Sequence, residues 1–410
     1  MKALKMGVIG CGNRGFALTR DILLNMKDVA VIAVCDLYED KAERAAAKVE
    51  ERSGKRPAVF TDHRELLKSL ALDAVLVSTS WETHVEVAID AMRASIPVAL
   101  EVGGAYCIDK LWEMVRVQES TGVPLMMMEN CCFGKTELLG TSLVRNGLLG
   151  EIVHCHGCYG HDLREEIASG NVKRHYRLRN YLTRNCENYP THELGPIAKV
   201  LNVNRGNQML SLVSVASRAV GMKEYVNRHA DKYPELVGKD FRQGDIVNTI
   251  ITCADGSTVT LRLDTTLPRS YAREFTLRGT RGLYEQATNS VFLDGEKEFW
   301  ETDEYYRAVN NNATRFEADY LPDVWRRITP EEIASGHGGM DGIEFRVFAD
   351  ALRAGKEMPI DVYDAAAWMS ITALSAASVA MGGAPQAIPD FTGGLWTTRK
   401  PLDVVEIPMM

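Results

Sequence analysis

The tightest constraint on this chain is a glycine-spaced turn that follows directly on its first apolar run. The run 6–9 leads into Gly10-Cys11-Gly12-Asn13-Arg14-Gly15. Phe16, Ile22, Leu23 and Met26 then fall at helical spacing, and a second apolar run, 29–35, ends on Asp36. Strand, tight turn, helix, strand and acid in this order make a dinucleotide-binding βαβ unit. Gly10 permits the turn, Gly12 lets the backbone approach a pyrophosphate, and Gly15 lets the helix pack on the sheet. The helix N-terminus offers free N–H groups and positive dipole to phosphate, and Arg14 in the loop is placed to face phosphate or adenine. Asp36 stands where a carboxylate accepts from ribose hydroxyls and repels a 2′-phosphate, so the expected cofactor is NAD rather than NADP.

The alternation continues as a doubly wound parallel sheet. Strands are expected at 58–60, 73–79, 97–101 and 124–130, with helices at 63–70 and 84–93. The C-terminal strand ends carry Trp81, Glu82, Thr83 and His84, then Glu101, then Asn130. These ends line the edge where a parallel sheet presents its ligand, here the nicotinamide. This predicts an N-terminal Rossmann domain over residues 1–130.

Beyond residue 130 the rhythm changes. A helix at 136–146 leads to β-like runs at 151–157, 210–217, 246–253, 257–264, 274–279 and 282–285, with a hairpin signal at Asp255-Gly256. Runs of strands with few helices between them predict an α+β domain over 131–410 with a large, open, mostly antiparallel sheet. A final helix at about 363–382 is expected to pack back on the first domain, and 223–244 reads as a surface loop or short helix.

Chemistry-bearing residues cluster in the second domain. Tyr159, His161, Asp162 and Arg164 form one group, and Tyr189-Pro190-Thr191-His192-Glu193 another. The segment between them is rich in Arg and Tyr, including Arg177. Pro190 suits a helix start, and Tyr189 and His192, three apart, can share a face. Tyr and His are the usual acid/base pair beside a nicotinamide. No metal is expected. Cys155 and Cys158 are three apart on a strand and face opposite ways, and His192-Glu193 lacks the second His of a zincin motif. Cys131-Cys132 read as packing.

Bulk composition excludes several classes. Net charge is -8 with no basic tract, which argues against nucleic acid or an anionic membrane as partner. No apolar run reaches the roughly 20 residues of a membrane span, and no export segment precedes the first strand. The nine scattered cysteines read as reduced thiols in a cytoplasmic protein.

The segments GNRG, CDLYED, WETH, LEV, MMMEN, NYPTHELGP, GHGGMD and IPDFT resemble, over nearly the whole chain, the Gfo/Idh/MocA oxidoreductase family. More narrowly, they resemble its branch of family-109 glycoside hydrolases, the α-N-acetylgalactosaminidases. Most Gfo/Idh/MocA members carry Glu-Lys-Pro where this chain has Glu101-Val102-Gly103, and the branch shares that departure. The resemblance implies cofactor contacts at Asn13, Arg14, Asp36, Trp81 to His84, Glu101, Val102, Asn130 and Tyr189, with His337 in a loop able to close over the site. It implies substrate contacts at Tyr159, Arg177, Tyr189 to His192 and Tyr271, with His161 beside them. Glu193, where a Gly is usual, and the stretch Asn185-Cys186-Glu187-Asn188 depart from the branch beside the sugar. The implied activity is hydrolysis of a glycoside by transient C3 oxidation, C2 deprotonation, elimination, water addition and re-reduction, with NAD held tightly and recycled and Tyr189 and His192 as acid/base. A sugar or inositol dehydrogenase with net hydride transfer is the rival reading, and a non-catalytic NAD sensor a third. The resemblance also implies a homo-oligomer built through the open sheet.

Overall fold

A computed structural model describes residues 2–295 and 307–410. The chain forms two units, one of Met1–Phe133 with Arg327–Ala366, the other of Gly134–Arg326 with Ala367–Met410.

In the first unit six parallel strands, β1 (Leu4–Ile9), β2 (Val29–Cys35), β3 (Ala58–Phe60), β4 (Ala74–Val77), β5 (Val98–Glu101) and β6 (Leu125–Met128), lie in the order β3-β2-β1-β4-β5-β6. Strands β4, β5 and the edge strand β6 are buried at every residue, as cover on both faces requires. Helix Glu39–Ser53 shows the code by which such helices form. It buries Ala42, Ala45, Ala46 and Val49 on one stripe and stops at left-handed Gly54. Helix His63–Ser69 starts on an Asp62 side chain that accepts from Arg64 N–H at 2.8 Å. The order reverses between β1 and β4, which opens the crevice where such sheets bind ligands.

Residues 327–366 complete this unit. Helix Met340–Ala354 buries Phe345 and Phe348, and Arg346 grips Asp28 through two bonds of 2.8 Å. Met127 N–H on β6 donates to Ile360 O at 3.0 Å.

The second unit is an eight-stranded sheet. Its strands are β7 (Ile152–Gly160), β8 (Met209–Ala216), β9 (Ile246–Cys253), β10 (Thr258–Asp264), β11 (Thr276–Gly279), β12 (Gly282–Glu285), β13 (Ser290–Leu293) and β14 (Gln386–Ala387), in the order β13-β12-β11-β7-β10-β9-β8-β14. Every neighbouring pair is antiparallel except β7 and β10. Strict alternation on β9 and β10 gives the sheet one core face and one outer face. Helix Thr191–Val200 lies on the core face against β7. It fits closely because β7 offers Gly157, where a Cβ would fall 2.7 Å from Glu193 O. Cys155 and Cys158 are both buried, and burial pushes the Cys158 thiol up to about 11. Among the described residues no disulfide forms, and no helix is long and apolar enough to cross a membrane.

Candidate functional site

In the first unit the glycine turn is built as its sequence demands. Gly10 sits at φ 96°, and a Cβ there would lie 2.4 Å from Ser78 O at the end of β4. A Cβ on Gly15 would lie 1.9 Å from Gly10 O, so helix and turn close only without one. At Gly12 a Cβ would meet nothing within 4 Å. The turn is tight on the protein side and open where Gly12 caps helix Asn13–Asp21. The first N–H groups of that helix have no partner within it. The Asp36 carboxylate accepts from Cys11 N–H at 2.7 Å and Tyr38 N–H at 2.9 Å, which fixes it at the end of β2 beside the turn. An open cradle, oriented N–H donors and a fixed acid are what a dinucleotide diphosphate and ribose need, so the residues fit NAD.

Arg14 points its guanidinium at carboxylates. Its Nε donates to Glu101 Oε1 at 3.1 Å, and its two Nη donate to Asp341 at 2.7 and 3.0 Å. Asp341 also accepts from Asn130 Nδ2 at 2.7 Å and meets His337 Nδ1 at 3.0 Å. Burial alone would raise the Asp341 carboxyl; the bonds from His337 and Arg14 outweigh it and hold the acid well below its usual range. Arg14, Glu101, Asn130 and His337 are thereby brought together by Asp341, which the sequence reading did not single out although it ends the GHGGMD block. Beside them Glu344 is fully buried, and neither of its carboxyl oxygens has a hydrogen-bond partner among the described residues. Burial, then Asp341 and Glu101, push it far above the carboxylate range, so it carries a proton.

Trp81 to His84 follow β4. Trp81 is buried against Gly103, where a Cβ would lie 2.2 Å from its ring, and Val102 is buried next to it. Thr83 is exposed and Glu82 half-buried, as Asn13 is exposed in the turn. His84 Nε2 meets Gly104 O at 3.2 Å, and burial lowers the imidazole to about 4, so it is a neutral N–H donor.

In the second unit the predicted residues form one aromatic cluster. Tyr189 and His192 flank the start of helix Thr191–Val200, with Pro190 at its N-cap, and the Tyr189 hydroxyl lies 3.4 Å from His192 Nε2. Tyr159, at the end of β7, packs on Tyr189 with ring centroids 4.6 Å apart and on His192 at 5.4 Å. The Tyr159 hydroxyl lies 3.2 Å from His161 Nδ1. Tyr271, half-exposed, sits edge-on to His161 at 5.1 Å. Burial raises the Tyr159 hydroxyl above its ordinary range, so it keeps its proton beside His161. Burial, then the Arg177 charge, lowers His161, which is therefore a neutral imidazole.

Arg177 enters from helix Arg177–Thr183. Its guanidinium lies over the Tyr189 ring at 5.1 Å, and its Nε pairs with Glu166 Oε1 at 2.6 Å. Thr191 is fully buried, and its hydroxyl has no hydrogen-bond partner among the described residues. Glu166 was not singled out from the sequence. Its only local signal is the charged stretch around Arg164.

Comparison with known proteins agrees with this layout. A family model described as the oxidoreductase family NAD-binding Rossmann fold matches residues 4–129, and the glycosyl hydrolase 109 C-terminal domain matches 133–398. The chain is 34% identical to a protein named alpha-N-acetylgalactosaminidase from Tannerella forsythia, over 97% of this chain and 88% of the relative. It is 36% identical to a glycosyl hydrolase family 109 protein from Akkermansia muciniphila, over 98% and 85%. Among solved structures it is similar to scyllo-inositol dehydrogenase from Lactobacillus casei with bound NAD(H) and scyllo-inositol, with a TM-score of 0.66 at 13% identity over 94% of this chain and 99% of that one. It is similar also to a levoglucosan dehydrogenase, with a TM-score of 0.67 at 18% identity over 95% and 100%. With the C-terminal domain matched over most of its length and the Rossmann fold over the rest, the chain belongs to glycosyl hydrolase family 109, a branch of the NAD-binding Gfo/Idh/MocA enzymes.

Proposed function

We propose that this protein is a glycosidase that cleaves an N-acetylhexosaminide by a redox-neutral elimination and hydration. The observation that carries the reading is the Tyr189–His192 pair, a proton donor and acceptor 3.4 Å apart within a buried Tyr/His/Arg cluster. The names of its relatives supply the substrate class. NAD, when bound, supplies an oxidant that takes a hydride from sugar C3 and gives it back, so that none is consumed and tight retention is favoured.

The protein groups then handle protons. The Tyr189–His192 pair accepts the C3 hydroxyl proton, releases it to water, and once C3 is a ketone accepts the acidified C2 proton. Loss of that proton with departure of the C1 oxygen leaves a C1–C2 double bond. His161 Nε2–H, backed by the Tyr159 hydroxyl, donates to the departing oxygen. Water then adds its hydroxyl at C1 and a proton at C2, and the Tyr189–His192 pair would give a proton to the C3 oxygen as that carbon is reduced again to the hydroxyl. The balance is hydrolysis without the paired carboxylates of ordinary glycosidases. Arg177, fixed by Glu166, holds the Tyr189 ring and offers donors to hydroxyl or acyl oxygens. The apolar residues Val153, Leu210, Val215 and Ile250 on the outer sheet face favour a homo-oligomer, which sedimentation would test.

The test is incubation with aryl N-acetylhexosaminides and with free sugars, following aglycone release and NAD reduction together. Aglycone release without net NAD reduction supports the proposal. Steady NAD reduction on free sugar would establish a dehydrogenase instead, and neither signal from protein that binds NAD would favour a sensor.

A further inference from the structure

Beneath the aromatic cluster lie two acids that the mechanism does not use. Glu187 and Glu193 are fully buried, at 0% and 2% exposure. Glu193 Oε2 accepts the backbone N–H of Tyr159 at 2.9 Å and of Arg262 at 3.1 Å. Glu187 Oε1 accepts the backbone N–H of Tyr189 at 3.3 Å. Among the described residues the remaining oxygens, Glu187 Oε2 and Glu193 Oε1, receive no N–H or O–H, although the two side chains lie close enough to act directly on each other. Two carboxylate oxygens are both acceptors and meet this way only with a proton between them. Among the described residues Cys158, Cys186 and Tyr181 face the pair and none of the three is a cation, so a doubly ionised pair would stand buried without compensation from them.

We propose that Glu187 and Glu193 are a carboxyl dyad sharing one proton, and that this dyad positions Tyr159 and Tyr189 for the reaction. Each acid holds one of the two tyrosines by its backbone, and the shared proton ties the holders together. The pair thus sets the 4.6 Å packing of the two rings from below. Neither acid touches the reacting hydroxyls; both act through the tyrosines. Burial pushes both acids up, Glu187 to about 8, so the second proton loss falls on the alkaline side of neutrality. Above that pH the dyad carries two charges and its halves repel. The positioning role rests on the glycosidase reading; the proton sharing does not.

The test compares Glu187→Gln, Glu193→Gln and the double variant in the full chain. A single Gln keeps the geometry, because its carbonyl accepts the backbone N–H and its amide donates to the remaining carboxylate. Each single variant should keep kcat within about threefold of the parent near neutrality and lose the alkaline fall in kcat that the parent shows. The double variant sets two donors face to face and should lose about 10- to 100-fold in kcat, more than the two singles combined, with NAD affinity unchanged. Infrared difference spectra between about pH 6 and pH 10 should show a protonated carboxyl band titrating in the parent and absent from either single variant. Tyrosine near-UV dichroism should shift over that same range in the parent alone. A band that neither substitution removes overturns the shared proton. A band that behaves as stated, with dichroism and alkaline profile unaltered by either substitution, overturns the positioning role. Absence of glycoside turnover by the parent would count against the proposed function alone, since the infrared and dichroism arms need no substrate.

Discussion

At the residue scale, the closeness of Tyr189 and His192 makes a direct prediction. Tyr189→Phe and His192→Ala each remove one half of the proton path while leaving the glycine turn of the other unit untouched. Each should lower kcat by about 100-fold or more, and His192→Ala should leave NAD affinity unchanged, as equilibrium titration with NAD would show. Retained turnover in His192→Ala would remove it from the mechanism. Asp341 makes a prediction of another kind. It accepts from Arg14 and Asn130 at once, and its side chain is 1% exposed. Asp341→Ala leaves a guanidinium and an amide without their acceptor, and should destabilise the first unit by about 3 kcal/mol in urea unfolding. The Asn130 and Arg14 contacts give this Asp its place at the end of a glycine-rich motif. The sequence could show that motif, but not that its acid reaches across 327 positions to Arg14.

At the scale of elements, the strand–turn–helix of β1 separates two roles that its glycines share in the sequence. Gly10 is left-handed and walled by Ser78 O, so Gly10→Ala should prevent the first unit from folding stably. Gly12 faces open space, so Gly12→Ala should fold with an unchanged melting temperature in the absence of cofactor. It should also weaken NAD binding at least about tenfold, because its methyl stands where the diphosphate approaches. Equal loss of folding in both variants would refute this division. Local elements of this sort were legible in advance: β2, β3, β9 and β12 begin and end where their apolar runs do, and helix His84–Arg93 matches its periodic stretch. What local pattern does not carry is pairing between distant segments. The parallel contact of β7 with β10 sets His154 beside Thr258, and the two-residue β14 has meaning only against β8. The short helices Arg164–Ala168, Gly170–Lys173 and Arg177–Thr183 are each too brief to show a helical period, yet they deliver Arg177 and Glu166. Glu187 and Glu193 announced themselves only as departures beside the sugar. The fold sets both on the backbone N–H groups of the tyrosines, a placement no local pattern shows.

At the scale of the whole molecule, buried titratable groups set how stability responds to pH. Acids held low by partners, such as Glu274 at about 2 beside His156, Arg269 and Arg262, stabilise above the unfolded carboxylate range and cease to do so as pH falls through it. His84, lowered to about 4 by burial, acts in the same direction: the unfolded chain takes up its proton from about pH 6.5 downward and the folded chain does not. Glu344 acts the other way. The folded chain keeps its proton while the unfolded chain releases it near the ordinary glutamate value, so stability falls as pH rises past that value. Above about pH 6.5 His84 no longer contributes a slope, and in the first unit the Glu344 term stands exposed. As pH rises above about 6.5, the transition that unfolds this unit should therefore lose stability. Glu344→Gln replaces the protonated acid with a neutral amide of similar shape, so the variant should lose that slope and be more stable than the parent at about pH 8. Urea midpoints at the two pH values measure it. An unchanged slope would mean that Glu344 is ionised in the fold, and that Arg14 serves it as well as Asp341 and Glu101.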